Sequence, residues 1–117
     1  KPVFLYDYPV ALGALARSKR DNPALAERFE IYIAGLELAN GFSELTDQSE
    51  QQKRFEAELQ LIKKQGRAAA ELPLKFLASL SKLPDAAGIA LGVDRLAMVL
   101  FQVETIDQVV SFIPEDL

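Results

Sequence analysis

From Arg28 to Ala34 the chain alternates: Phe29, Ile31 and Ile33 fall on one side of an extended segment, Glu30 and Tyr32 on the other. A period of two with one apolar face predicts a β-strand. Gly35 supplies a turn. With Ala34-Gly35 as a two-residue connection, Ile33 pairs with Leu36 and Tyr32 with Glu37. Glu37 then joins Glu30 on the polar face of a hairpin, within reach of one shared cation. Continued unbroken, that register sends Asn40, Phe42 and Glu44 to the opposite face. A β-bulge near Ala39 to Gly41 restores the parity, because an inserted residue flips the alternation and glycine tolerates the dihedrals.

The remaining pattern reads as support for this hairpin. Val3 to Tyr8 is a β-rich run that stops at Pro9. Asn22-Pro23 marks a turn, and Pro23 is placed to open a short helix reaching Glu27. Asp47 with Glu50 forms a capping box for a helix to about Lys64, with Phe55, Leu59 and Ile62 on its buried face. Lys63 and Lys64 suit its negative end and Gly66 stops it. Arg67 to Leu72 reads as a loop or a frayed Ala-rich extension, and Pro73 opens a second helix through Leu77 and Leu80 that Pro84 ends. Gly88 to Val93 reads as a buried strand containing Gly92, followed by a helix that Asp94 begins, Leu96 to about Phe101. Thr105 with Gln108 caps a short helix, Ile106 to Val110, and Phe112 to Pro114 finishes near the chain end. The expected fold class is α+β: a mostly antiparallel sheet with flanking helices.

Composition narrows the chemistry. The 117 residues suffice for one domain with a core. The formal net charge of −4 argues against this piece alone gripping a phosphate backbone. No apolar run approaches the ~18 residues that span a bilayer, and no signal-peptide pattern is present. Cysteine and histidine are both absent. A Ser-His-Asp triad, a Cys-His pair and a His/Cys zinc site are therefore excluded, and any metal must be held by oxygen, which suits Mg²⁺.

Two polar signals remain. Strands are depleted in Glu and Asn, so the density of Glu30, Glu37, Asn40 and Glu44 points to something polar or cationic over the hairpin, with a solvated face as the plain alternative. The second is the strand-to-helix junction Gly88-Ile-Ala-Leu-Gly-Val-Asp-Arg-Leu96. Gly92 allows close approach of a flat ligand or another backbone. Arg95 lies in a first helical turn, where the dipole disfavours a cation, so an anion or a π-face outside the junction explains it better than a surface ion pair with Asp94 or Glu104.

Arg28-Phe-Glu30, the run Glu37-Leu-Ala-Asn-Gly-Phe-Ser-Glu44 and Gly88-x-x-x-Gly92-x-Asp-Arg95 resemble the class II lysyl-tRNA synthetase catalytic domain. The last, within residues 88–96, resembles that class's motif 3. The resemblance runs over essentially all of 1–117 but covers only the C-terminal part of the family's domain, whose motifs 1 and 2 are expected before Lys1. Within the family, Leu36 and Ala90 resemble the short paralogue that transfers a lysyl group to elongation factor P, where true lysyl-tRNA synthetases carry Arg and Gly. In that paralogue the added methyl goes with a preference for β-lysine.

The resemblance implies ATP- and Mg²⁺-dependent activation of lysine or β-lysine as an adenylate, then transfer to a lysine of elongation factor P. Charging of tRNA(Lys) is the alternative, and a non-catalytic nucleotide or amino-acid binding module the second. It implies that Glu30 and Glu37 hold Mg²⁺ against the ATP phosphates. Asn40, Phe42 and Glu44 line the lysine pocket, Glu44 pairing an ammonium, with Ala90 and Gly92 as its floor. Arg95 acts on ATP, stacking on adenine and approaching the γ-phosphate side. It further implies a cytoplasmic enzyme whose parent is a homodimer, with these 117 residues alone forming no adenylate.

Overall fold

Ala34 and Gly35 both adopt positive φ, 53° and 84°, which is the backbone of a two-residue hairpin turn whose twist matches its strands. In the computed structural model, which describes residues 1–68 and 71–113, that turn joins β2 (Leu25–Ile33) to β3 (Leu36–Ser43). β1 (Pro2–Pro9) lies outside β2 and β4 (Ala87–Leu91) outside β3. All neighbours are antiparallel, in the order β1-β2-β3-β4. Helices α1 (Gln48–Lys64), α2 (Leu74–Leu80) and α3 (Val93–Phe101) complete the α+β fold, with single 3-10 turns at Val10–Leu12 and Ile106–Gln108.

The register matches the turn chemistry: Ile33 faces Leu36 and Tyr32 faces Glu37. The bulge lies earlier than predicted. Ile31 pairs with Ala39, leaving Leu38 as the extra residue, not one of Ala39 to Gly41. The reason is tertiary. Leu38 is buried, and its carbonyl accepts the Gly92 amide at 2.8 Å. Gly41 instead makes room for its neighbours, since a Cβ there would meet the Phe29 ring at 2.7 Å and the Gly88 carbonyl at 3.2 Å. Ala normally improves on Gly in a strand by up to ~1 kcal/mol. Gly41→Ala is expected instead to cost about 1–2 kcal/mol by overpacking. A urea titration checks this, and an unchanged midpoint would show that the ring yields freely.

Residues Pro23 to Glu27 do not form the predicted helix. Asn22 Oδ1 accepts the Ala24 amide and the Asn22 carbonyl the Leu25 amide, and the chain then enters β2. Leu25 pairs with Pro9 and Ala26 with Tyr8. One isolated helical turn costs more to nucleate than it gains, so strand pairing prevails. Asp47 caps α1, its side chain accepting the Glu50 amide at 2.9 Å, and Gly66 (φ 70°) ends it. Pro73 precedes α2. Residues 69–70 of the predicted loop, and Pro114, lie outside the described residues.

The Gly88 to Val93 reading needs two corrections. β4 ends at Leu91, and Gly92 is the N-cap of α3, which starts at Val93 and places Asp94 in its first turn. The Gly92 amide is taken by Leu38, while its carbonyl accepts the Leu96 amide, the first bond of the helix. β4 is also exposed along its whole length, Ile89 at 59% and Leu91 at 51%. An uninterrupted apolar run suits a strand covered on both faces, but here β4 is the outer strand of the sheet. The chain exposes 8601 Å², against roughly 6,300 Å² for a compact monomer of its mass. Among the described residues the core is small: Ala16, Ala26, Leu38, Ala39, Leu45, Leu77, Leu80 and Met98.

Candidate functional site

Cross-strand partners share a face, so the register sorts the sheet. One face carries Phe4, Phe29, Ile31, Ala39, Gly41, Ile89 and Leu91, with the Phe4 and Phe29 rings 6.3 Å apart. The other carries Arg28, Glu30, Tyr32, Glu37, Asn40, Phe42, Gly88 and Ala90. The bulge at Leu38 makes this possible. Without that extra residue, Asn40 and Phe42 would turn away from Glu30.

Glu30 is 7% exposed and is held from three sides. Its Oε2 accepts the Tyr8 hydroxyl at 2.6 Å and the Tyr32 hydroxyl at 2.7 Å, and its Oε1 accepts Arg28 Nη2 at 2.5 Å. The Tyr8 hydroxyl, ahead of Tyr32 and the Arg28 charge, holds the Glu30 carboxyl below the usual range against the opposing effect of burial. Burial, followed by the bond to Glu30, pushes the Tyr8 hydroxyl up to about 12. The Arg28 guanidinium lies 4.6 Å over the Tyr8 ring.

These shifts set a pH dependence. An unfolded glutamate titrates near 4.5 and folded Glu30 lower. Its stabilisation is therefore complete above pH 4.5 and is lost as pH falls through the lower folded value. Tyr8 has the opposite sign: its part is complete below pH 10 and is lost as pH rises through about 12. Glu30→Gln leaves Arg28 without its carboxylate and is expected to cost roughly 3 kcal/mol at pH 7. Urea titrations should show that gap narrowing as pH falls below 4.5 and Glu30 itself takes up a proton. A gap constant with pH would contradict the ionic role.

At the far end of the hairpin, Arg95 donates from Nη1 to the Glu37 carbonyl at 2.8 Å and lies 3.8 Å from Glu37 Oε2. This explains a cation in a first helical turn: its partner is on β3, not Asp94 or Glu104. Both side chains keep access to solvent, 51% for Arg95 and 37% for Glu37. Two residues beyond Phe42, Glu44 puts Oε1 3.5 Å from where a Gly88 Cβ would stand. Ala90 pairs with Asn40 and Gly88 with Phe42, so β4 floors this half of the face. An apolar cavity of about 320 Å³ adjoins it, lined by Phe29, Phe42, Ser43, Ala87, Gly88 and Ile89, and none of the three carboxylates lines it.

Magnesium takes oxygen ligands and keeps waters, one or two carboxylates plus substrate phosphates completing its shell. Among the described residues, no group of three or more ligating side chains could cage a metal. Glu37, half-exposed, fits the lighter requirement. Glu30 is already bonded to three donors, one of them cationic. The donor set suits a hard cation arriving with a nucleotide's phosphates.

Sequence reading missed Tyr8 and Arg28 as parts of this site. Arg28, Glu30 and Tyr32 recur every second residue on one strand, a signal that was available. Tyr8 depends on the irregular β1–β2 register between Tyr6 and Tyr8, where Asp7 adopts φ 60°, and was not readable. Among the described residues no helix is long and apolar enough to cross a membrane.

Comparison with known proteins gives the family. The family model for tRNA synthetases class II (D, K and N) matches residues 1–116. The chain is 45% identical over 113 residues to the elongation factor P--(R)-beta-lysine ligase of Histophilus somni (strain 2336). The protein of that name from Haemophilus influenzae (strain PittGG) is also 45% identical, and that of Yersinia pestis (strain Pestoides F) 42%. Each match covers 96% of this chain and 35% of the relative, so the chain spans about a third of the relatives' length.

Proposed function

The chain belongs to the class II tRNA synthetases of the D, K and N group, and on that premise we propose that its full-length protein activates (R)-β-lysine or lysine with ATP and transfers it to elongation factor P. The observation that carries the reading is the convergence of Glu37 and Arg95 at one end of a sheet face that also bears Asn40 and Phe42, with Glu44 beside Gly88. The acceptor rests on the relatives' names. Ala90 on the floor opposite Asn40 is consistent with it.

In the proposed first step, the amino-acid carboxylate attacks the α-phosphorus of ATP and pyrophosphate leaves. In the second, an acceptor amine attacks the adenylate carbonyl, loses its proton and releases AMP. Positioning and charge neutralisation dominate such displacements, which suits the carboxylates, amide and guanidinium that this chain contributes. Glu44 pairs the side-chain ammonium, which disfavours neutral competitors because they leave the carboxylate unpaired. Asn40 and Phe42 orient the amino acid over Ala90 and Gly92. Arg95, a planar cation, stacks on adenine and faces the γ-phosphate side. Mg²⁺ would be held by Glu37, with Glu30 behind it, and would supply charge neutralisation at the phosphates.

Amino-acid-dependent ATP–pyrophosphate exchange by the full-length protein tests the first step. Labelled (R)-β-lysine offered with elongation factor P or with tRNA(Lys) tests the second. Exchange with label on elongation factor P is expected. Label on tRNA alone would favour tRNA charging, and ATP binding without exchange would favour a binding module.

A further inference from the structure

We propose that Arg28 is a positioning residue that fixes the orientation of the Asn40 amide, so that Asn40 presents its N–H₂ to an oxygen of the bound amino acid. The inference rests on the reading that Asn40 lines the amino-acid pocket, and it adds a residue to that site.

Arg28 links β2, β3 and the 3-10 turn at Val10–Leu12. Its Nη2 donates to Glu30 Oε1 at 2.5 Å, its Nη1 to the Leu12 carbonyl at 2.6 Å, and its Nε to Asn40 Oδ1 at 3.2 Å. The guanidinium also rests over the Tyr8 ring, and the side chain is 18% exposed. Three acceptors and a ring leave it one position. Tyr8 and Tyr32, by occupying Glu30 Oε2, fix the carboxylate that anchors it.

The consequence for Asn40 follows from donor chemistry. An amide's oxygen and nitrogen are ordinarily assigned by their surroundings. A guanidinium only donates, so the Asn40 oxygen must face Arg28 and its N–H₂ must face away. Asn40 stands opposite Ala90 on the site face. Its two N–H groups are thereby offered to an acceptor there, such as a carboxylate oxygen of the free amino acid or the carbonyl of its adenylate. A free asparagine would divide itself between two orientations, one of which sets its oxygen against the substrate's. Lysine at position 28 keeps a charge but cannot reach Glu30, Leu12 and Asn40 together in the fork that Arg uses.

A double-mutant cycle in the full-length protein tests this, read as KM for the amino acid and KM for ATP in pyrophosphate exchange. Arg28→Lys is expected to raise the amino-acid KM about tenfold, with the ATP KM changed less than about twofold. In an Asn40→Ala background the same substitution should raise it less than about twofold, because nothing remains to be oriented. Independent effects that multiply, or an equal rise in both KM values, would overturn the proposal. Should Arg28→Lys fail to fold, Tyr8→Phe keeps the ring under Arg28 and removes only one hydroxyl from Glu30. A rise of about two- to threefold that disappears in Asn40→Ala is expected there, and no rise, or a multiplicative one, overturns it. An unsubstituted protein without amino-acid-dependent exchange overturns instead the functional reading on which this rests.

Discussion

Glu44→Gln in the full-length protein is expected to lower kcat/KM for the amino acid about 10³-fold while leaving the ATP KM within about twofold. Glutamine keeps the size of the side chain and removes its charge. On the proposed reading, Glu44 faces a substrate ammonium removed from water, and losing one partner of such a pair costs roughly 4 kcal/mol. Its location favours that role over a solvated surface charge. Glu44 is half-buried, its chain position is tied by a bridge to Ala16, and its Oε1 lies beside the backbone of Gly88 on the outer strand. Amino-acid-dependent pyrophosphate exchange measures the effect. A variant with unchanged kcat/KM would reduce Glu44 to surface charge.

Arg95→Ala is expected to lower kcat for exchange by roughly 10²–10³-fold, the usual cost of removing a donor aimed at developing charge. The structural alternative predicts something different. Arg95 and Glu37 are both substantially solvated, and an exposed pair of this kind contributes at most about 1 kcal/mol to stability. A large loss of kcat with a nearly unchanged urea midpoint therefore assigns Arg95 to ATP. Comparable loss of both would make it a clamp between α3 and the β2–β3 hairpin. Arg95→Lys restores the charge without the planar fork, and recovery should stay incomplete.

How much of this site was legible depends on whether the determining contact was local. Ala34-Gly35 fixes the hairpin register by its own turn geometry, so the pairing of Tyr32 with Glu37 followed from sequence. The need for a bulge followed as well, since Asn40 and Phe42 could not otherwise join Glu30. Its position did not, because a carbonyl at Leu38 meets an amide at Gly92, far along the chain. The same contact moved Gly92 out of β4 and made it the N-cap of α3. Pro23 suggested a helix for sound local reasons, but β1 offered Leu25 and Ala26 a better partner. The apolar run of β4 indicated burial, whereas among the described residues only one of its edges is paired. Arg28 belongs to the pattern that carries the family resemblance, yet its role emerged only when Leu12, Tyr8, Glu30 and Asn40 stood around it.

A crystal structure of the full-length protein with a non-hydrolysable (R)-β-lysyl-adenylate analogue tests most directly whether these side chains serve one hollow. The expected density places the analogue's side-chain ammonium within hydrogen-bond distance of Glu44, its carbonyl against the Asn40 N–H₂, and its adenine under Arg95. Density for the analogue away from this face, with neither Glu44 nor Arg95 touching it, would contradict it.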